Sequence, residues 1–272
     1  MHVTPVLTQN GNGVVHLDRP YNYTPQRNPE VNTVVLCGHA PTSRELATFN
    51  LPDVDYWSMN DSFAWIGMVG SHEGKPQLRY RMDRYFELHH AAVYRNPARR
   101  TGGYIDFLKT FPGPVMMQEV DPEIPTSQRY PLEAAVALAG RASMETQAGP
   151  FGSSFGWMIA LAILEGYKRI EMYGCDLSAN EEYRSQRPAT YYWIGRCDGM
   201  GIEFKLPDAT PLLNEPFYGR NITVAPGVSK DEVMNRLAHL RNVHGQASKQ
   251  AVLAEGAMSE AAHWATRLGV HR

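Results

Sequence analysis

Cysteine is scarce in this chain: three residues in 272, Cys37, Cys175 and Cys197, with no Cys-x-x-Cys spacing. An odd, unpaired set argues against a disulfide scaffold and against a zinc ribbon, and it suits a reducing cytoplasm. Long apolar runs are missing too. No stretch approaches the ~20 residues that cross a bilayer, so no membrane association is expected. The opening residues, MHVTPVLTQNGNG, hold neither a basic segment nor an apolar one, so a signal peptide is not expected and a cytoplasmic location is. Neither charge sign dominates. A formal charge of −2 gives no global argument for nucleic acid. The chain also lacks a Gly-x-Gly-x-x-Gly fingerprint, a Gly-Lys-Ser/Thr phosphate loop and a His-Glu-x-x-His pair. The adjacent pair His89-His90 does not place both side chains on one face of a strand, so no metal site is expected.

What is present is ordinary globular composition, 43% hydrophobic and 20% charged, enough for a sizeable core. Short apolar or β-branched runs recur at TVVLC (33–37), VDYWSMND (54–61), RYFELHH (84–90), PVMMQ (114–118), RIEMYG (169–174) and IEFKLP (202–207). Helical patterns separate several of them: SRELATF (43–49), GGYIDFLKTF (102–111), LEAAVALAGRA (132–142) and FGWMIALAILEGY (155–167). Strand–helix alternation predicts an α/β, Rossmann-like fold, a mainly parallel sheet with helices on both faces. Residues 1–30, rich in Asn, Pro and Gly, read as an irregular arm with at most one strand. Residues 31–222 are expected to form the Rossmann-like domain. Residues 223–272 form a C-terminal helical appendage. There Ser229 and Glu232 make a capping box, Val233, Leu237 and Leu240 follow a three–four spacing, and Gly245 and Gly256 are candidate breaks. Packing of these helices on the domain or on another subunit, the latter giving a homo-oligomer, is one expectation. The other is a nucleic-acid or substrate-covering element carrying Lys230, Arg236, Arg241 and Lys249, although interleaved acidic residues leave no strong basic stripe.

Parallel sheets bind ligands beyond the carboxyl ends of their strands. Four stretches fall there. In LCGHAPTSREL (36–46) a strand meets Gly38 and turns through His39, Ala40, Pro41, Thr42 and Ser43 into a helix whose N-terminus suits a phosphate. In WSMNDSF (57–63), Asn60 and Asp61 end a strand, and an amide there can read a base or ribose edge or simply cap a helix. In GPFGSSFGWMIALAILEGYKRIEMYGCD (149–176), Ser153, Ser154 and Gly156 open a helix apolar nearly all round, and Tyr173 and Asp176 finish the next strand. Asp176 suits a base or a hydroxyl-binding group. In NEEYRSQRPATYYWIGRCDGMGI (180–202), Glu181, Glu182, Arg184, Arg187, Tyr191 and Tyr192 form a polar–aromatic run; arginines there can hold a diphosphate or a carboxylate in two-pronged bonds.

Taken together, VVLCGHAPTSREL, DYWSMNDSF, SSFGWMIALAILEGYKRIEMYGCDL, YYWIG and IEFKLPDATPLL resemble, in order and separation, the bacterial sialyltransferases that use CMP-sialic acid. They are also similar to the motility accessory factor and archaeal pterin diphosphokinase group and its phage members. The resemblance covers about residues 33–213. It implies a metal-independent glycosyltransferase with no tightly bound cofactor, a CMP- or UDP-sugar co-substrate, and a hydroxyl acceptor on a glycan or a hydroxymethylated phage DNA base. It assigns donor contacts to the Gly38 turn, Asn60 and Ser154. Two departures stand out. His39 replaces the family's donor-contacting Asn, and Tyr192 replaces its general-base histidine. A tyrosine, ordinarily titrating near ~10, is a poor base at neutral pH, so Asp176, Glu181, Glu182 and His39 become candidates. The resemblance leaves a pterin diphosphokinase-like transferase, or a nucleotide-binding protein without turnover, as alternatives.

Overall fold

The computed structural model describes residues 7–9, 15–17, 23–72, 75–96, 102–140, 149–177, 185–213 and 230–268. The chain divides into two compact units, Met1–Glu215 and Pro216–Arg272.

In the first unit, β1 (Leu7–Gln9) and β2 (Val15–Leu17) pair antiparallel, so the arm holds two strands rather than the one expected at most. The main strands are β3 (Thr33–Cys37), β4 (Val54–Met59), β7 (Arg84–Glu87), β8 (Val115–Met117), β9 (Ser127–Arg129), β10 (Arg169–Tyr173) and β11 (Glu203–Lys205). Between the second and third of these, β5 (Met68–His72) and β6 (Lys75–Leu78) make a separate antiparallel hairpin. The seven main strands form one sheet in the order β11-β10-β3-β4-β7-β8-β9, with every neighbouring pair parallel.

Side chains alternate across this sheet, as strand geometry requires. Val34 and Leu36 enter one core with Trp57, Phe86 and Met116, while Val35 and Cys37 enter a second with Tyr56, Tyr85 and Val115. A strand buried on both faces reads as a continuous apolar run, which is why TVVLC stands out in the sequence. The shorter helices α1 (Phe63–Ile66), α2 (Ala91–Tyr94) and α3 (Tyr104–Thr110) supply Phe63, Tyr94 and Phe107 to the second core. The helices α4 (Leu132–Ala139), α5 (Ser154–Glu165) and α6 (Arg187–Gly199) cover the first. The helix expected over 43–49 is one 3-10 turn, Arg44–Leu46. Its would-be cap, Ser43, turns its hydroxyl to the Gly174 N–H instead (2.9 Å). The three cysteines are buried thiols, and burial raises Cys197 to about 12.

The second unit holds α7 (Lys230–Arg267), one continuous helix that Gly245 and Gly256 do not interrupt. Ser229 of the expected capping box lies outside the described residues.

A buried ion pair fixes the far end of α5. Glu165 is 1% exposed and binds Arg84 Nη1 at 2.8 Å. Its carboxylate also accepts from the Tyr23 hydroxyl (2.6 Å) and the Gln26 and Arg27 N–H groups (2.6 and 3.0 Å). These bonds tie residues 23–27 to the core. Burial pushes the Glu165 carboxyl up, but Arg84 and the surrounding donors outweigh it and hold the group below its ordinary value. Removing one partner leaves the other charge buried and unpaired. Glu165→Ala should therefore cost about 3–5 kcal/mol in urea unfolding. Because the folded carboxyl titrates below its unfolded value, its stabilisation is complete above about pH 4.3 and is lost as pH falls through the folded value. Glu165→Gln should lack that segment of the acid titration of stability.

Candidate functional site

The strands β3 and β10 lie side by side, yet the chain leaves β3 toward β4 and returns to β10 only after building the other wing. This pair is the switch point of the sheet, where connections diverge and a crevice opens beyond the carboxyl ends. The residues that follow the two strands are Gly38 and Gly174. The Gly38 N–H donates to the Tyr173 carbonyl (2.8 Å) and the Ala40 N–H to the Gly174 carbonyl (3.0 Å). A Cβ on Gly38 would lie 2.4 Å from the Gly174 oxygen and 2.6 Å from Phe155 Cζ. Gly174 has φ +67°, and a Cβ there would lie 2.7 Å from the Gly38 oxygen. Glycine is required on both sides of this contact.

Over it opens a cavity of about 490 Å³, within the range of small-molecule sites. Stretches far apart in the chain line it: Gly38, His39 and Ala40 after β3, Asn60 and Asp61 after β4, Ser153 and Ser154 at the start of α5, and Asp176 after β10. Asn60 adopts φ +50°, a conformation asparagine tolerates better than most residues. Its Nδ2 donates to Ser154 Oγ at 3.1 Å, joining the second stretch to the third. Its Oδ1 is buried without a hydrogen-bond partner among the described residues.

Ser153 caps α5. Its Oγ accepts from the Gly156 N–H (3.0 Å) and lies 2.9 Å from Thr190 Oγ1, whose own proton goes to the Gln186 carbonyl. The helix is buried almost throughout, from Phe155 to Glu165, so its N-terminus faces the crevice from within the core. Unsatisfied N–H groups and the positive end of the dipole make such a terminus hospitable to an anion.

Other expected residues serve different ends. Ser43 is buried and braces the turn through Gly174. Thr42 and Pro41 are exposed, and Thr42 Oγ1 donates to Asp176 Oδ1 at 2.6 Å. The single 3-10 turn after them is too short to offer the phosphate site expected of a helix there. Gly156 gives room for Trp193, since a Cβ on it would sit 3.1 Å from the indole Cδ1. Tyr173 is buried and donates to Glu171 (2.7 Å); burial first, then that carboxylate, hold its hydroxyl far above the ordinary value. Arg187 is buried, with Nε on the Tyr191 hydroxyl (2.7 Å) and Nη2 on the Pro211 carbonyl (2.6 Å). Tyr192 donates its hydroxyl to the Ala139 carbonyl and does not line the cavity. Glu181, Glu182 and Arg184 lie outside the described residues.

The structure adds a pair that the sequence reading passed over. His89, just past β7, lines the cavity. Its Nδ1 lies 2.6 Å from Glu87 Oε1, which also accepts the His89 N–H (2.9 Å), while Tyr104 donates to the other oxygen of this fully buried carboxylate. A carboxylate on Nδ1 fixes the tautomer in which Nε2 carries a lone pair. The imidazole is 42% exposed, so a ligand in the cavity can reach it. The signal was the spacing Glu87-x-His89 at a strand end, where residues two apart share a face. Among the described residues, no cluster of three or more His, Cys, Asp or Glu is arranged to hold a metal ion.

No family model matches the sequence, and no curated protein matches it. Among solved structures, the chain is similar to the sialyltransferase CstII from Campylobacter jejuni in complex with cytidine-5'-monophosphate (17% identity, 76% of this chain and 99% of that chain, TM-score 0.38). It is also similar to an α-2,3-sialyltransferase from C. jejuni in apo form (15% identity, 79% and 96% covered, TM-score 0.42). A third is the monofunctional α-2,3-sialyltransferase Cst-I from C. jejuni (14% identity, 84% and 98% covered, TM-score 0.43).

The glycine contact generates a direct test. Gly38→Ala forces a Cβ into backbone and ring and should cost at least ~1–3 kcal/mol. The expected readout is a lower thermal midpoint, together with lost protection of the Ala40 N–H in hydrogen exchange.

Proposed function

We propose that this protein is a glycosyltransferase that takes a sugar from a CMP- or UDP-linked donor and passes it to a hydroxyl acceptor, without a metal. The observation that carries this reading is the meeting of the Gly38 turn, Asn60 and the Ser153–Ser154 helix start in one cavity at the switch point. A donor phosphate sits at the N-terminus of α5, where dipole and N–H groups offset its charge. The unpartnered Asn60 Oδ1 favours a hydrogen-bond donor on the nucleotide, such as the cytosine amine or a ribose hydroxyl.

The acceptor oxygen attacks the anomeric carbon and the bond from that carbon to the phosphate oxygen breaks. The electron pair leaves on the nucleotide phosphate, stabilised by the helix terminus. The acceptor proton passes to His89 Nε2, and Glu87 stabilises the imidazolium that results. Tyr192 is not needed as the base, since its hydroxyl is engaged with Ala139. Asp176, an acceptor for Thr42, holds a sugar or acceptor hydroxyl. The acceptor is a glycan, or a hydroxymethylated base in DNA.

Thermal-shift measurements test the donor class. CMP or UDP should raise the midpoint without divalent ions, and Asn60→Ala should weaken that binding roughly tenfold, the equivalent of one hydrogen bond of about 1–2 kcal/mol. A shift that appears only with ATP and Mg²⁺ would assign the site to diphosphoryl transfer instead. In a transfer or donor-hydrolysis assay, His89→Gln should lower turnover by about 10²–10⁴ with donor affinity intact. Full turnover in that variant would remove His89 as the base, and nucleotide binding with no turnover in the parent protein would favour a sequestering role.

A further inference from the structure

The helix α7 runs 38 residues, roughly 57 Å at 1.5 Å per residue, and carries a seam that the proposed transfer chemistry does not use. Along it Leu237, His244, Ala251, Met258 and Ala265 recur every seven residues. A second set, Leu240, Ala247, Ala254, Ala261 and Leu268, follows each of them by three. This is the spacing of a coiled-coil seam, apolar at every position but His244, and it runs from Leu237 to Leu268, one residue past the end of α7. Leu237, Leu240, Met258 and Leu268 are exposed by 38%, 48%, 72% and 75%. Two interior glycines, each costing about 1 kcal/mol against alanine, weaken the helix, and helices of this kind draw their stability from packing a face.

We propose that α7 pairs with α7 of a second copy of this chain as an antiparallel coiled coil, with its two-fold axis near Lys249. The charges flanking the seam decide the direction. In a parallel pair Arg236 would face Arg241 of the other copy, a like-charge contact repeated on both flanks at the same end of the coil. In the antiparallel pair, with Ala247 packed on Ala251 of the other copy, Arg241 meets Glu255 and Arg236 meets Trp264, whose ring face accepts a cation. The same register seats Leu240 against Met258 and Leu237 against Ala261, large against small, while the central alanines let the axes approach to about 8 Å. No like-charged residues face one another across either flank.

Sedimentation velocity of the full-length chain at tens of micromolar should show a dimer. Ala251→Glu, in the seam, should give a monomer with the helical circular-dichroism signal of a folded protein. Arg241→Glu, on the exposed flank, should weaken self-association at least tenfold, and adding Glu255→Arg should restore it. Direction is read by oxidative cross-linking, the three native thiols being buried. Ser248→Cys, near the axis, should form an intermolecular disulfide, whereas Ala265→Cys should not. A monomeric parent chain, an unchanged Arg241→Glu variant, or cross-linking at both positions would overturn the proposal. Loss of nucleotide binding is not expected in any of these variants, so the pairing and the transferase reading fail independently.

Discussion

Gly38 and Gly174 pass so closely that neither tolerates a side chain, and this contact ties the carboxyl end of β3 to that of β10. It closes the floor of the cavity at the point where the sheet's connections diverge. The backbone bonds across it fix the direction of the Gly38–Ala40 turn, and the Ser43 hydroxyl locks the turn from below. A residue with a Cβ on either side would push the turn away from Asp176 and from the start of α5.

The second constraint is α5 itself. Apolar nearly all round, it has no solvent face and lies buried against the sheet, with its two ends doing different chemistry. Its N-terminus is capped by Ser153 and faces the cavity; its C-terminal Glu165 pairs with Arg84 and gathers residues 23–27. A buried charge at that end costs desolvation, and the density of donors around it offsets the cost. The helix therefore couples anchoring of the N-terminal segment to placement of the site, through a rod rather than a loop.

Much of this was legible in the sequence, for physical reasons. The strand β3, buried on both faces, leaves an unbroken apolar run, and β4 and β10 leave apolar stretches broken by Asp55, Ser58, Arg169 and Glu171. These runs show the strands, and the apolar stretch between Ser154 and Glu165 shows the buried helix. The edge strand β9 has the sequence Ser-Gln-Arg and no apolar pattern, because little of it is buried. The turn after β3 looked like a helix because Thr42 and Ser43 are cap residues, but their hydroxyls are spent on Asp176 and Gly174. Arg187 looked like a ligand clamp; it is a buried brace for the Pro211 carbonyl. His89 was passed over since neighbouring histidines do not share a face, and its partner was the carboxylate two residues back. Gly245 and Gly256 suggested breaks in the tail, yet isolated glycines weaken a long helix without ending it.

The central claim is that the rim formed by Gly38, Asn60 and Ser154 grips an activated nucleotide. A crystal structure of the protein soaked with CMP addresses it most directly. The account predicts density in the 490 Å³ cavity, with the phosphate at the N-terminus of α5 and the nucleoside within hydrogen-bond reach of Asn60. Nucleotide ordered on another surface, with that cavity left to solvent, would contradict it.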